Sequence, residues 1–305
     1  MTDIAYDVAV VGGGPAGLTA AIWLARYLHP VVVIDAGDPR NWETRGIHGF
    51  LGHEGIRPAE LRRLGRETCR HYGAVLLDTG VSCVDRLDDE TFRVALDGGA
   101  VLVARRLLLA IGIRDEWPDA PGLERCYGET AHVCPDCDGY EARGCRTVVI
   151  GSGKRAAAMA LALTTWTREI VIVTNGARAG MTGEWTRKLD ALDIPVLEER
   201  IRRVVSEHGE ARAIELDNDV TLGCERIFFS IGQEPADDLA AQLGCRRDGI
   251  GRVITDDHAH TSVRNVYAAG DIVHAPQIAI AAAGTAAIAA LAIHHSLLPA
   301  ERRLD

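Results

Sequence analysis

YDVAVVGGGPAGLTAAIWLARYLHPVVVID, residues 6–35, holds a β-branched run, a glycine-rich turn, a stretch of helical periodicity and a second apolar run that ends on an acid. Tyr6 to Val11 predicts a strand, Leu18 to Leu28 a helix and Val31 to Ile34 the next strand. Between the first strand and the helix, Gly12, Gly14 and Gly17 stand in GxGxxG spacing, with Pro15 and Ala16 before the last of them. The first glycine permits the tight turn, the second lets a pyrophosphate approach the backbone, and the third lets the helix lie on the strand. Asp35 follows the second strand, about 20 residues beyond the turn, where a carboxylate can accept hydrogen bonds from an adenosine ribose. The glycine spacing alone is common. Strand, turn, helix, strand and acid together predict a dinucleotide-binding fold.

The pattern returns. Thr147 to Ile150 predicts a strand, Gly151 and Gly153 a second turn with Ala156 at its third position, Ala157 to Thr165 a helix and Ile170 to Thr174 a strand. The position equivalent to Asp35 falls on Thr174, followed by Asn175 and Gly176, so no carboxylate stands ready for a ribose. Lys154, Arg155 and Arg178 are near enough in sequence to reach a phosphate, but they form no cluster. Two readings stay open: a turn for NADPH or NADH, or a nucleotide-type domain that binds its cofactor weakly or not at all. Further on, Asn265 to Ala269 predicts a short strand closed by Gly270-Asp271, with a helix from about Gln277. The expected fold is α/β, with two Rossmann-like three-layer domains, the second inserted into the first. Residues 1–117 and 243–305 form the first and 118–242 the second, with crossings at Trp117-Pro118 and around Gly244.

The 305 residues suffice for two ordinary domains. Thirty-three basic against 43 acidic side chains give a formal charge of −10, which argues against nucleic acid and for small molecules or proteins as partners. The chain enters a strand at Tyr6 without the pattern of a secretory leader, so a cytoplasmic location is expected. Ile278 to Ile293 is apolar but alanine-rich, short for a bilayer and interrupted by Gly284 and Thr285; it reads as a buried helix, with no membrane association.

Eight cysteines are scattered except for Cys134-Pro135-Asp136-Cys137, two thiols at CxxC spacing between the two glycine turns. Such a pair at a helix start can close a small disulfide, and the helix N-terminus favours the attacking thiolate. A structural zinc needs four ligands, and no second CxxC or HxxxH exists, so no metal is expected. The other six cysteines read as inert fillers. Asp136 reads as solvent-facing, and Trp166 and Trp185 as packing residues. Histidine as a residue type can move a proton near neutral pH, which brings forward His132, His294 and His295, but neighbours on a helix point roughly 100° apart, so His294 and His295 cannot both face one site.

In this order the landmarks resemble the low-molecular-weight thioredoxin reductase family of FAD-dependent pyridine nucleotide-disulfide oxidoreductases. The residues are Gly12-Gly13-Gly14-Pro15-Ala16-Gly17, Ala110-Ile111-Gly112, Cys134-Pro135-Asp136-Cys137-Asp138-Gly139, Gly151-Ser152-Gly153 and Ala268-Ala269-Gly270-Asp271, spanning essentially the whole chain. The resemblance implies FAD, a homodimer and a dithiol alternating between flavin and partner. By residue match, Cys137 would face the flavin, Cys134 exchange with substrate sulfur, and Asp138 act as the proton donor to the departing thiolate. That last role needs a carboxyl whose pKa burial has raised. Asp271 would serve the ribityl side, Gly112, Gly270 and Ala279 would lie close to the cofactor, and Asn41 follows from family position. Gln277-Ile278-Ala279 stands where the family has Arg-Gln-Ala, without the arginine. The arginines expected for the NADPH 2′-phosphate are replaced by Val173 to Gly176. His48-Gly49-Phe50-Leu51-Gly52 and CPDCDGYE at 134–141 are more similar to gliotoxin- and holomycin-type dithiol oxidases, which form a disulfide in a small molecule using oxygen. The expected partner is thus a small dithiol or disulfide, or a thioredoxin-like protein. A non-catalytic flavin-binding protein is the remaining alternative.

Overall fold

The computed structural model describes residues 4–88 and 90–302, which divide into two compact units. The first comprises Met1–Trp42, Phe50–Arg114 and Glu234–Asp305; the second comprises Glu43–Gly49 and Asp115–Gln233. In chain order the first unit begins with β1 (Ile4–Val11), α1 (Pro15–Arg26), β2 (Val31–Ile34), α2 (Pro58–His71), β3 (Val75–Leu77), β4 (Val81–Arg86), β5 (Phe92–Leu96) and β6 (Val101–Leu109). β7 (Ile113–Asp115) leads into the second unit. There follow β8 (Ala131–His132), α3 (Pro135–Asp138), β9 (Thr147–Ile150), α4 (Gly153–Leu163), β10 (Ile170–Val173), α5 (Glu184–Asp190), β11 (Val196–Leu197), β12 (Ile201–Glu207), β13 (Glu210–Leu216), β14 (Thr221–Gly223) and β15 (Arg226–Phe229). β16 (Gln233–Pro235) leads back, and α6 (Leu239–Gln242), β17 (Val266–Ala268) and α7 (Ala279–Leu297) complete the first unit.

The sheet of the first unit runs β3-β2-β1-β6-β5-β4, with β17 added on β6. β1 is parallel to β2 and β6, in register Val11↔Ile34 and Val11↔Leu109, so the ends of three strands converge beside the first glycine turn. One sheet face, with Val8, Val10 and Leu108, is covered by α1 and α7; the other buries Val32, Leu107, Leu109 and Phe92. A strand buried on both faces has no polar side to show, which is why Val31–Ile34 is continuously apolar. The second unit has a parallel sheet, β11-β10-β9-β15-β8, and an antiparallel one, β12-β13-β14. α4 packs Ala156, Ala157, Ala160 and Leu163 against Val149, Ile172 and Phe228, while Ile201, Val204, Ile214 and Leu216 close the opposite face over Val148 and Ile227.

The expected crossings at Trp117-Pro118 and Gly244 differ from the observed changes of unit at Arg114–Asp115 and Gln233–Glu234, on the strands β7 and β16. Glu43–Gly49 joins the second unit, where Arg45 N–H donates to the Gly128 carbonyl at 3.2 Å and its guanidinium pairs with Glu129. α1 and α4 start earlier than periodicity predicts, at Pro15 and Gly153; for α1 the reason is that N1 tolerates a proline whose missing N–H would have no intrahelical partner anyway. The expected helix is present, and α7 runs through Gly284-Thr285, with Thr285 Oγ1 donating to the Ala282 carbonyl and accepting the Gly270 N–H at 3.0 Å. This helix is long and apolar enough to cross a bilayer by length and composition, yet Ala282, Ala286, Ala289, Ala290 and Ile293 are buried in the core of the unit. Its end is tied to β1 by a chain of rings: Asp7 Oδ2 meets His29 Nδ1 at 2.9 Å, His29 Nε2 meets His294 Nδ1 at 3.0 Å, and Tyr27 stacks on His294.

The Gly17 and Gly14 positions differ sharply in what surrounds them. A Cβ on Gly17 would lie 1.8 Å from the Gly12 carbonyl oxygen, whereas one on Gly14 would meet nothing within 4 Å. Gly17→Ala is expected to cost about 3 kcal/mol, because backbone must yield, and Gly14→Ala less than about 1 kcal/mol in the cofactor-free protein. Urea unfolding of the two variants checks this; equal stabilities would contradict the packing.

Candidate active site

Cys134 and Cys137 are joined in a disulfide, with Cα atoms 5.3 Å apart. Cys134 is the N-cap of α3: its backbone is extended and its Sγ accepts the Cys137 N–H at 3.1 Å. Pro135 at N1 presets the helical φ, and the helix is over after Asp138, continuing only as a 3-10 turn at Tyr140–Ala142. The expected help from a helix dipole is therefore cut to one turn; the local donor is the Cys137 amide. Both sulfurs belong to half-buried residues, and Asp136 is exposed, in keeping with a solvent-facing role. Gly139 makes the turn possible, since a Cβ there would sit 2.5 Å from both the Pro135 carbonyl and the Trp166 ring. Trp166 is thus a brace beneath the redox turn.

Asp138 points at His132. Its Oδ1 lies 3.2 Å from His132 Nδ1, with the histidine 7% exposed and the carboxylate 15%. His132 sits on β8 against the Phe228 ring of β15, and its Nε2 is buried without a hydrogen-bond partner among the described residues. A buried N–H without an acceptor is rarer than a buried acceptor without a donor, so the proton is assigned to Nδ1, donating to Asp138. Of the three histidines that sequence brings forward, only His132 shares a unit with the cysteines; His294 and His295 lie in the other, His294 in the ring chain described above. His48, on the Glu43–Gly49 strap, lies 3.8 Å from Glu141 just after the CxxC turn. No local pattern in the sequence announces that contact.

In the first unit the residues expected around a dinucleotide fit one. Gly14 caps α1 with no side chain over the helix start, and Pro15 and Ala16 open the first turn, leaving donors toward an anion. Gly13 lies against Asp35, whose carboxylate accepts the Gly37 N–H at 3.1 Å and pairs with Arg62 and Arg66 of α2. Nothing in the residue order singles out these two arginines. Gly112 and Gly270 take positive φ, and Gly270 is pressed against Ala16. Asp271 and Gln277 meet through a shared partner, Arg40; Ile278 caps α7 and Ala279 begins it. Asn41, in the left-handed region at φ 55, follows Arg40 in the same turn.

At the second turn the groups that could meet a pyridine nucleotide already have partners in the chain. The Gly153 N–H, at the start of α4, donates to the Ala179 carbonyl at 2.7 Å, while the Ala179 N–H is held by Glu198 at 2.7 Å. Thr174, standing where a ribose acid is needed, is buried and donates its hydroxyl to the Ala177 carbonyl. Arg155 donates to the Ile231 carbonyl at 3.2 Å. The Gly153 amide, a donor at the start of α4, is thus already engaged by a loop of the chain itself.

The remaining cysteines are free, and burial pushes four of them up: Cys69 and Cys126 to about 11, Cys224 to about 12, and Cys245 in the same direction. Among the described residues no group of three or more His, Cys, Asp or Glu could hold a metal ion.

The family model for pyridine nucleotide-disulphide oxidoreductases matches residues 6–286. Among relatives, the thioredoxin reductase of Bacillus subtilis is 27% identical over 95% of this chain and 94% of its own. An alkyl hydroperoxide reductase component of Pseudomonas putida is 30% identical over 96% of this chain but only 58% of its own length. Among solved structures, HlmI superposes with a TM-score of 0.90 at 36% identity, covering 97% of this chain and 92% of that one. A putative thioredoxin reductase TrxB of Bacillus anthracis gives 0.89 at 28%, covering 95% and 98%.

A protonated thiol does not react with an alkylating agent. At about pH 8, after mild reduction, iodoacetamide is expected to label Cys134 and Cys137 and to spare Cys69, Cys126, Cys224 and Cys245 until the protein unfolds. Mass spectrometry reads this, and labelling of Cys224 as fast as Cys134 would contradict it.

Proposed function

We propose that this chain, which belongs to the pyridine nucleotide-disulphide oxidoreductase family, uses its Cys134–Cys137 pair and FAD to oxidise a small dithiol, with oxygen rather than NADPH or NADH completing the cycle. It is a thioredoxin reductase-like, flavin-dependent thiol-disulfide oxidoreductase. Direction and donor are the proposed part. One observation carries them: the Gly153 amide is already taken by Ala179, in a loop pinned at Thr174 and Glu198. Admitting a nicotinamide dinucleotide at the Gly153 amide would break these bonds, and Thr174 stands where the first turn has Asp35.

The disulfide chemistry follows from the turn. A substrate thiolate attacks Cys134 Sγ, the bond to Cys137 breaks, and Cys137 leaves as a thiolate. The second substrate thiolate then attacks the first substrate sulfur, releasing Cys134; the substrate has lost two electrons and two protons, and the enzyme pair holds both as thiols. FAD, if held along Gly12 to Gly17, Asp35 and Asp271, would supply the two-electron acceptor that lets the Cys134–Cys137 bond re-form, with oxygen as the final oxidant, leaving as hydrogen peroxide once it has taken up two electrons and two protons. Of the two thiol protons, one leaves with the electron pair and the other passes to Asp138, whose carboxylate His132 holds in place through Nδ1–H and which releases that proton to complete the peroxide. Trp166 behind Gly139 keeps the two sulfurs on one rigid turn, so exchange needs little reorganisation.

A lone disulfide beside six free cysteines suits a reducing compartment, and we place the reaction in the cytoplasm. Ile280, Ile288 and Leu291 form an exposed apolar stripe on α7, with Trp23 of α1 exposed as well; a second copy of the chain is the partner assigned to that face.

Anaerobic mixing of the flavin-loaded protein with NADPH, NADH and dithiothreitol in turn tests the proposal. Dithiothreitol should bleach the flavin and air restore it, with NADPH and NADH leaving it oxidised. Rapid bleaching by either nicotinamide cofactor supports a reductase serving a disulfide or a thioredoxin-like protein instead. Cys134→Ser should lower dithiol turnover at least about a hundredfold; unchanged turnover would leave only a flavin-binding role.

A further inference from the structure

The family pattern sets an arginine at the first position of Arg-Gln-Ala, and Gln277 stands there in this chain. A cation nevertheless reaches the place. Arg40, from the turn after β2, donates through Nη1 to Asp271 Oδ2 at 3.0 Å and to Gln277 Oε1 at 3.3 Å. The three residues come from separate segments: the loop between β2 and α2, the end of β17 and the approach to α7. The guanidinium is 14% exposed and the carboxylate 19%, well below the exposure at which an ion pair is mostly screened. The backbone around Arg40 is specified too. Pro39 fixes its own φ, and Asn41 adopts the left-handed region at φ 55, which asparagine tolerates better than most residues and which reverses the chain directly after Arg40.

We propose that Arg40 is the positioning cation of the flavin site: it holds Asp271 and Gln277 in the arrangement that binds FAD, and its charge favours the electron-rich reduced cofactor. A positive charge near a flavin lowers the energy of the form that carries two more electrons, which is one of the few electronic levers a protein has on this cofactor. A planar guanidinium bridges a carboxylate and an amide oxygen at fixed separation, which a lysine ammonium does less well. The same charge thus arrives by another segment. The inference rests on Asp271 and Gln277 lining the flavin and is independent of the direction in which electrons flow.

The test uses the full-length protein stripped of cofactor and titrated with FAD, followed by flavin fluorescence quenching, together with the flavin midpoint potential of the reloaded protein. Arg40→Met should weaken FAD binding about ten- to a hundredfold, as expected for losing hydrogen bonds from a charged donor, and should lower the midpoint potential. Arg40→Lys should restore the potential but only part of the affinity. Asp271→Asn reports on the site itself. If it leaves FAD affinity unchanged, the placement of the flavin beside Asp271 is wrong. If it weakens binding while Arg40→Met does not, that placement survives and the role of Arg40 is overturned. Tighter binding by Arg40→Met would also overturn it, showing the arginine to be an obstacle that FAD displaces. Unfolding of each variant without FAD separates a loss of fold from a loss of site; should Arg40→Met fail to fold, Arg40→Gln takes its place.

Discussion

How closely a helix can begin beside the end of a strand governs both halves of this molecule. At the first turn Gly17 leaves room for the Gly12 carbonyl, so α1 settles on β1 with its start above the converging ends of β1, β2 and β6. The space about Gly14 stays open. At the second turn Ala156 stands in place of the third glycine, and a Cβ on Gly151 would come 2.8 Å from the Ser230 carbonyl oxygen. There, however, the amide of Gly153 faces Ala179. Two copies of one architecture thus differ in how the amides of their turns are engaged, and the difference lies in a few hydrogen bonds of one loop.

The redox turn shows the same economy of means. One turn of helix carries both sulfurs, an adjacent acid and the glycine that admits a tryptophan brace. A helix so short contributes little field of its own. The electrostatics are instead made locally: a backbone amide on one sulfur and a buried imidazole on the acid, with the orphan Nε2 fixing which nitrogen carries the proton. Sulfur exchange and proton movement are thereby assigned to neighbouring but different groups.

Much of this is legible in residue order. Val31–Ile34 and Thr147–Ile150 can be read to the residue because an uninterrupted β-branched run between turn signals admits few alternatives. The starts of α1 and α4 are harder, since Pro15 and Gly153 have the character of loop residues until they are recognised as first helical positions. Gly284-Thr285 interrupts only the apolar run, and the Thr285 hydroxyl finds its partners at the Ala282 carbonyl and the Gly270 N–H. Other features leave no local trace. Arg40 and Asp271 are 231 residues apart, and the two arginines on Asp35 sit on α2 with nothing in that helix to mark them. Periodicity and spacing report on backbone and burial; meetings between side chains of distant segments are written in neither.

The Glu43–Gly49 strap gives the molecule an interleaved rather than a nested construction. Its chain leaves the first unit before α2, lies along Gly128 and Glu129, and returns. A fragment excised at β7 and β16 would carry the sulfurs away without His48 and Arg45, so the redox module is not a detachable cassette. Recombination that shuffles such modules among relatives must carry this short loop along with them, or redesign the surface it leaves bare.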